Sequence, residues 1–526
     1  MQQNQPRSTQ TSWVTPIIYA GVLLLGIGIG IFLKGSFSIG FPSLDSNSAM
    51  DEIIELVKSK YVDQVNLDST QTKLADFYLG QLDPHSVYIP PADLVKANEQ
   101  LQPNFKGIGI EFQQFRDSVF VAYVLPGGPA EKVGLKTGDI LLTVDDTVQL
   151  SGNKLDGEAI KRKIKGPAEE SLKLSVLRNQ QKMTFNLTRA SVPVSPIDAA
   201  YMLSDTIGYI KIDKFADRTY EAFMQALEPL LKKGMKSLVI DLRGNGGGLL
   251  SEAVGIVDEL LAGNKLIVYT EGLHAPRVNY YSKREGLFET GAITILMDET
   301  SASASEVLAG ALQDWDRAKV IGRRSFGKGL VQQQFRLSNG GALRLTTAKY
   351  FTPLGRNIQR PYQNGKLAYE HDFIERMAAS SNGNLDTASI GKSYKTPKGN
   401  TVYGGGGIIP NQWLPSNVLY ADSNYAKLYL EGTMNEFVLQ YYLKNTLNQY
   451  SSVQVFVADY AKQDLTKLLD QYLRKTNQKG LPGSMLQNPL LQQQLVAYLA
   501  RCKWYKQGYY EAINLMDGNF QAALKK

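Results

Sequence analysis

SASASE, residues 301–306, and SFGKGLVQ, residues 325–332, decide how this chain is read. The first sets three alternate serines, Ser301, Ser303 and Ser305, at the head of EVLAGALQDW, a run that reads as a helix. A serine at a helix start is ordinarily a cap, and letters alone do not choose among the three. The second places Lys328 in a turn between Gly327 and Gly329, where glycine permits a tight backbone. A serine and a neutral lysine form a nucleophile and its base without histidine or metal. A solvated lysine titrates near about 10.4, so a lysine acting as base near neutral pH needs burial in an apolar, cation-free pocket. Phe326, Leu330 and Val331 flank Lys328 and are the expected walls.

A third segment supplies what acyl transfer needs next. LVIDLRGNGGG, residues 238–248, reads as a strand entering a glycine turn. Glycines let backbone N–H groups approach a developing oxyanion. A phosphate loop would end in Gly-Lys-Ser/Thr, and this turn does not. Asp241 and Arg243 are expected to brace the turn rather than react.

These segments, with LDPHSVYIPP (82–91), TTAKYFTPLGRNIQ (346–359) and VYGGGGIIPNQ (402–412), resemble the carboxyl-terminal processing peptidases, a family of serine proteases, over roughly residues 50–415. The resemblance implies Ser303 as nucleophile, Lys328 as base and Gln332 as the residue that orients the lysine. It implies the amides of Gly248 and Ala304 as oxyanion donors. Gln333 and Gln334 are then strand surface. The segments at 346–359 and 402–412 are expected to be scaffold, the first also a sheet edge on which substrate lies extended. His85, inside LDPHS, is expected to be structural. GPAEKVGLKTGDILLTVDD, residues 128–146, resembles a PDZ domain. Such a domain adds a peptide strand to its sheet edge and holds a terminal carboxylate on backbone amides. By position the carboxylate loop is Gly107, Ile108, Gly109 and Ile110. The domain would capture a substrate's C-terminal end or gate the site. No metal or organic cofactor is implied.

Composition agrees with a multidomain globular chain. Its 526 residues exceed one ordinary domain, and 43% hydrophobic against 20% charged residues describe a real core. The net charge of +7 is spread along the chain without a basic block, which argues against nucleic acid as a partner. The single cysteine, Cys502, excludes an intramolecular disulfide and reads as a buried structural thiol. His85, His274 and His371 lie far apart, so no zinc cluster is suggested.

Residues 14–33, VTPIIYAGVLLLGIGIGIFL, carry no charge and match the roughly 20 residues that span a bilayer. They predict a transmembrane anchor, or else a cleaved signal peptide, with the rest of the chain extracytoplasmic on the periplasmic side. The expected fold is thus α/β and α+β multidomain. Residues 1–12 form a cytoplasmic tail, 13–34 the anchor, 35–49 a linker and 50–99 a helical region. Residues 100–192 form the PDZ domain, 193–415 an α/β peptidase core and 416–526 a helical C-terminal region. The expected function is a membrane-anchored serine endopeptidase acting on proteins or peptides with accessible C-terminal ends. An adaptor or activator, and a homo-oligomer assembled through the C-terminal helices, are further expected partners. Two rivals stand beside it: a PDZ scaffold with an inert protease fold, and a peptidase that uses one of the histidines.

Overall fold

The computed structural model describes residues 49–99, 102, 104–152, 155–381, 391–415, 419, 422–445 and 447–524. They fall in two units, Met1–Lys73 and Leu74–Lys526. In the first lies the helix Ala49–Lys60; a second helix, Leu67–Gly80, starts there and ends in the other unit.

The expectation of a membrane-spanning helix is corrected. Among the described residues no helix is long and apolar enough to cross a membrane. The anchor at 13–34, the tail before it and most of the linker at 35–49 lie outside the described residues. Membrane attachment, and the extracytoplasmic placement drawn from it, are therefore withdrawn.

The peptidase part is built on a six-stranded sheet ordered Ile197–Met202, Ile207–Ile212, Ser237–Asp241, Ala292–Met297, Ala318–Gly322, Gln412–Trp413. All neighbours after the first pair run parallel. Parallel strands are joined by helical crossovers and need both faces covered, so their sequences read as continuous apolar runs. SLVID and AITILM are such runs. Side chains alternate between the faces with period two. Ile210, Leu238, Ile240, Ile295 and Val320 join the core beneath the helices Thr219–Lys232, Leu250–Asp258 and Ala304–Asp314. Tyr209, Val239, Leu296 and Ile321 face the other way, where Phe520 and Ala523 close over them. The end of the C-terminal helical region thus completes the peptidase core.

Residues 104–193 give the strand pair Asn104–Gly107 with Ala190–Pro193 and a six-stranded antiparallel sheet from Ile110–Phe115 to Gln181–Thr188. Val121, Leu141, Leu174, Val176 and Ile160 fill its core. The helices from Ser423 onward surround their own core, with Phe456, Leu469, Leu495 and Leu499 fully buried. The long helix Pro489–Met516 breaks at Tyr505 (φ 56°, ψ −148°) as it passes from one neighbour to the next. Before the break Arg501 pairs with Glu111 at 2.7 Å, and at the break the Tyr505 ring stacks on Tyr123. After it Lys506 pairs with Asp198 at 2.6 Å, and Asn514 donates to the Tyr201 hydroxyl. Burial pushes the Cys502 thiol up to about 12, so it stays protonated and structural.

Candidate active site

Three adjacent parallel strands, Ser237–Asp241, Ala292–Met297 and Ala318–Gly322, deliver the three segments singled out in the sequence. Each segment leaves the carboxyl end of its strand, where open α/β sheets place their binding crevices. Together they wall a cleft of about 700 Å³ containing Gly246, Gly247, Gly248, Ser303, Ala304, Lys328 and Gln332.

The structure distinguishes the three serines. Ser301 and Ser305 are wholly buried, and their hydroxyls donate to the carbonyls of Leu242 (2.8 Å) and Asn245 (2.9 Å). Both tie the helix start to the glycine turn. Ser303 alone faces the cleft, in a left-handed backbone conformation (φ 55°, ψ −113°) costly for a residue with a Cβ. Such strain persists only where surrounding bonds over-determine it. Here those bonds come from Glu306, fully buried at the third position of the helix. One carboxylate oxygen accepts from the Ser303 and Lys328 amides (2.8 and 2.9 Å). The other accepts from the Ser325 hydroxyl and the Gly327 amide (2.6 and 2.7 Å). One side chain therefore joins nucleophile and base segments. Burial pushes its carboxyl up to about 7 against the pull of these four donors. Tyr350, also buried, donates to the carbonyls of Ser303 (3.1 Å) and Lys328 (2.5 Å).

The same logic separates Gly247 from Gly248. The Gly247 amide donates to the Asn245 side chain at 2.9 Å, so it is spent. The amides of Gly248 and Ala304 have no partner among the described residues and border the cleft beside Ser303. Gly248 has φ +143°, and a Cβ there would stand 2.2 Å from the Phe215 carbonyl oxygen. Asn245 organises the turn: its side chain donates to the Ile212 carbonyl, and its own carbonyl accepts from the Ala302 amide. Asp241 and Arg243 form a buried pair at 2.6 Å, completed by the Tyr209 hydroxyl. They brace the turn, as expected.

Lys328 donates to Gln332 Oε1 at 2.8 Å, and Gln332 Nε2 donates to the His85 carbonyl at 2.6 Å. Gln333 and Gln334 are exposed. LDPHS therefore contributes a backbone carbonyl behind the lysine. Burial and the nearby Lys328 charge hold the His85 imidazole down at about 4, and its Nε2 lies 3.2 Å from the Tyr369 hydroxyl. His274 and His371 are exposed, and no histidine among the described residues lines the cleft. Burial pushes the Lys328 amine below the usual lysine range, and the Arg344 charge lowers it further. The expected pocket is half right. Leu330 and Val331 line it, but Phe326 packs instead with Tyr369, Phe373 and Arg360. Nor is it cation-free, because Arg344 shares the cleft.

The strand at 342–351 also differs from expectation. It pairs with Leu330–Arg336 on one side and with Val87–Ile89 and Leu266–Gly272 on the other. The open edge beside the cleft is Leu330–Arg336. The segment at 402–412 is scaffold: Gly405 and Gly407 donate to the carbonyls of Asn357 and Ile358, and Ile408 donates to the Ser325 hydroxyl.

Gly107, Ile108, Gly109 and Ile110 border a second cavity, of about 570 Å³, between the strand Ile110–Phe115 and the helix Gly157–Ile164. Gly109 takes φ +81°, and a Cβ there would stand 3.2 Å from the Gly128 Cα. The Ile108 side chain is 1% exposed and belongs to the domain core, leaving Ile110 half-exposed.

Sequence reasoning missed Glu306, Asn245, Tyr350 and Arg344. Glu306 had a signal: Ser303-x-x-Glu306 is the spacing of a helix capping box. The other three act across chain separations that no local pattern reports.

Comparison with known proteins agrees with this architecture. Residues 206–364 match peptidase family S41, residues 107–188 match the PDZ domain, and residues 424–505 match a family of unknown function. A carboxy-terminal-processing protease of Bartonella bacilliformis is 32% identical over 346 residues, 63% of this chain and 78% of the relative. The carboxy-terminal processing protease CtpB of Bacillus subtilis is 30% identical, over 60% of this chain and 67% of its own. The solved photosystem II D1 C-terminal processing protease is 29% identical, with a TM-score of 0.36 over 60% of this chain and 85% of that one. Fold and relatives together define a serine-type endopeptidase carrying a PDZ domain. The chain belongs to the carboxyl-terminal processing proteases.

Proposed function

We propose that this endopeptidase cuts polypeptides with Ser303 as nucleophile and Lys328 as base, and that the loop Gly107–Ile110 captures a substrate's free C-terminus. The observation that carries the reading is a single cleft holding the one serine of the three whose hydroxyl donates to no backbone carbonyl, a partly desolvated lysine anchored by Gln332, and two amides without a partner among the described residues. The neutral Lys328 amine would take the Ser303 proton as Oγ attacks the scissile carbonyl. The Gly248 and Ala304 amides would stabilise the oxyanion. The ammonium would return the proton to the leaving amine, giving an acyl-enzyme on Ser303. Water, deprotonated by Lys328, would then release the acid. Gln332 holds the amine in line. The cavity beside Gly107–Ile110 suits an extended peptide end added to the strand Ile110–Phe115.

Digestion of β-casein, an unstructured protein, tests the scheme. Wild type should cleave it and Ser303→Ala should not; equal cleavage by both would sink the assignment. Gly248→Ala keeps the N–H but forces it to move, and should lower kcat by up to about 10²–10³-fold, the cost of losing one oxyanion donor outright. Its Cβ cannot be placed without moving Phe215. Steady-state kinetics beside a thermal melt will separate loss of turnover from loss of fold.

A further inference from the structure

We infer that Arg344 is a specificity-determining residue that binds a carboxylate borne by the substrate within about three residues of the scissile bond. The inference rests on the Ser–Lys cleft proposed above. Among the described residues, three cations line that cleft, Lys214, Lys328 and Arg344, and no aspartate or glutamate does. Arg344 is half-buried, and its partner is the Gln334 side-chain oxygen at 3.2 Å. A guanidinium carries five donors in a planar fork suited to a carboxylate. Removing it partly from water with one neutral acceptor leaves most of that capacity unused.

Its place in the sheet sets the distance from the chemistry. Gln332 faces Thr346 and Gln334 faces Arg344 across the pair Leu330–Arg336 with Ala342–Phe351. Arg344 therefore lies two residues along the strands from the Gln332 that anchors the base, or about 7 Å. It lines the same cleft as Tyr350, which bridges the backbones of Ser303 and Lys328. A substrate extended along the open edge Leu330–Arg336 would carry a side chain past Arg344 two or three residues from the cut. The cation also lies close enough to Lys328 to lower its amine.

Two sources can supply the carboxylate: an aspartate or glutamate side chain, or the free C-terminus of a short remaining segment. The test uses the full chain and fluorogenic peptides with one glutamate scanned over three positions on each side of the cleaved bond. Each has a glutamine counterpart, and each is made with a free and with an amidated C-terminus. Wild type should favour one glutamate peptide, or the free-acid series, about tenfold in kcat/KM, as a charge-assisted hydrogen bond commonly gives. A preference confined to one scanned position identifies a side chain; one that follows amidation identifies the terminus. Arg344→Gln should erase the ratio, and Arg344→Glu should reverse it, so that the glutamine or amidated counterpart is cleaved faster. Comparing two peptides within one enzyme cancels any change in the basicity of Lys328. Equal rates for all peptides in wild type, or a ratio that survives Arg344→Gln, overturns the inference while leaving the Ser–Lys scheme intact. Cleavage of every peptide by Ser303→Ala as fast as by wild type overturns that scheme and this inference with it.

Discussion

Lys328→Arg is expected to cut kcat by about 10⁴-fold or more, the scale seen when a catalytic triad keeps its geometry but its base is held in the wrong protonation state, while leaving the fold in place. Arginine keeps the positive charge and can still donate to Gln332 Oε1, so the local hydrogen bonding survives. What it loses is the neutral state, because a guanidinium does not deprotonate in proteins. The wild-type amine is pushed down by burial and then by Arg344. A base lysine works only when neutral, and the neutral fraction grows as pH rises through its folded value. Wild-type kcat/KM should therefore rise with pH along a limb below lysine's ordinary value of about 10.4. Lys328→Arg should show no such limb. Turnover within tenfold of wild type, at an unchanged melting temperature, would remove Lys328 from the chemistry.

Glu306→Gln should cost about 3 kcal/mol of stability, because the amide nitrogen must face donors where a carboxylate oxygen accepted. It should also lower kcat by about 100-fold or more, the price of letting two reacting groups drift by an ångström. The four donors come from Ser303, Ser325, Gly327 and Lys328. Among the described residues no other side chain accepts from the backbone amides of both nucleophile and base. Urea unfolding gives the first number, and turnover of the folded fraction the second. The pH dependence has a definite sign. The folded carboxyl is raised from the ordinary glutamate value of 4.5 to about 7 by burial. Between those values the folded state holds a proton that the unfolded state has released. Glu306's own contribution to stability is therefore fully present at low pH and falls as pH rises through about 7. The bonds that gather the site need the ionised form, so activity should rise over the same interval. Stability and activity moving together there, or a Glu306→Gln protein that keeps the wild-type slope, would contradict this account.

Much of the site is legible in the letters because its parts are local. A glycine turn after an apolar strand, serines at the head of a helix and a lysine between two glycines each follow from backbone constraints within a few residues. The PDZ segment and the alternation of strands with helices are local in the same sense. The long apolar run at 14–33 was legible too, but length and hydropathy describe a segment, not its place in a fold. It lies outside the described residues and none of the described helices spans a membrane.

What only the tertiary structure decided depends on groups far apart in the chain. Ser303 stands out because the hydroxyls of Ser301 and Ser305 are taken by carbonyls about sixty residues earlier. Gly248 keeps its amide because Asn245, anchored on the Ile212 carbonyl 33 residues earlier, takes that of Gly247. Gln332 is held by a carbonyl 247 residues away. The C-terminal helices, whose letters gave no motif, cover the second face of the peptidase sheet through Phe520 and Ala523. By itself the sequence determined which backbone shapes and reactive groups this protein has. The fold decided which of those groups are already satisfied, and therefore which are left for substrate. Desolvation and hydrogen-bond saturation belong to the packed chain and have no local signature.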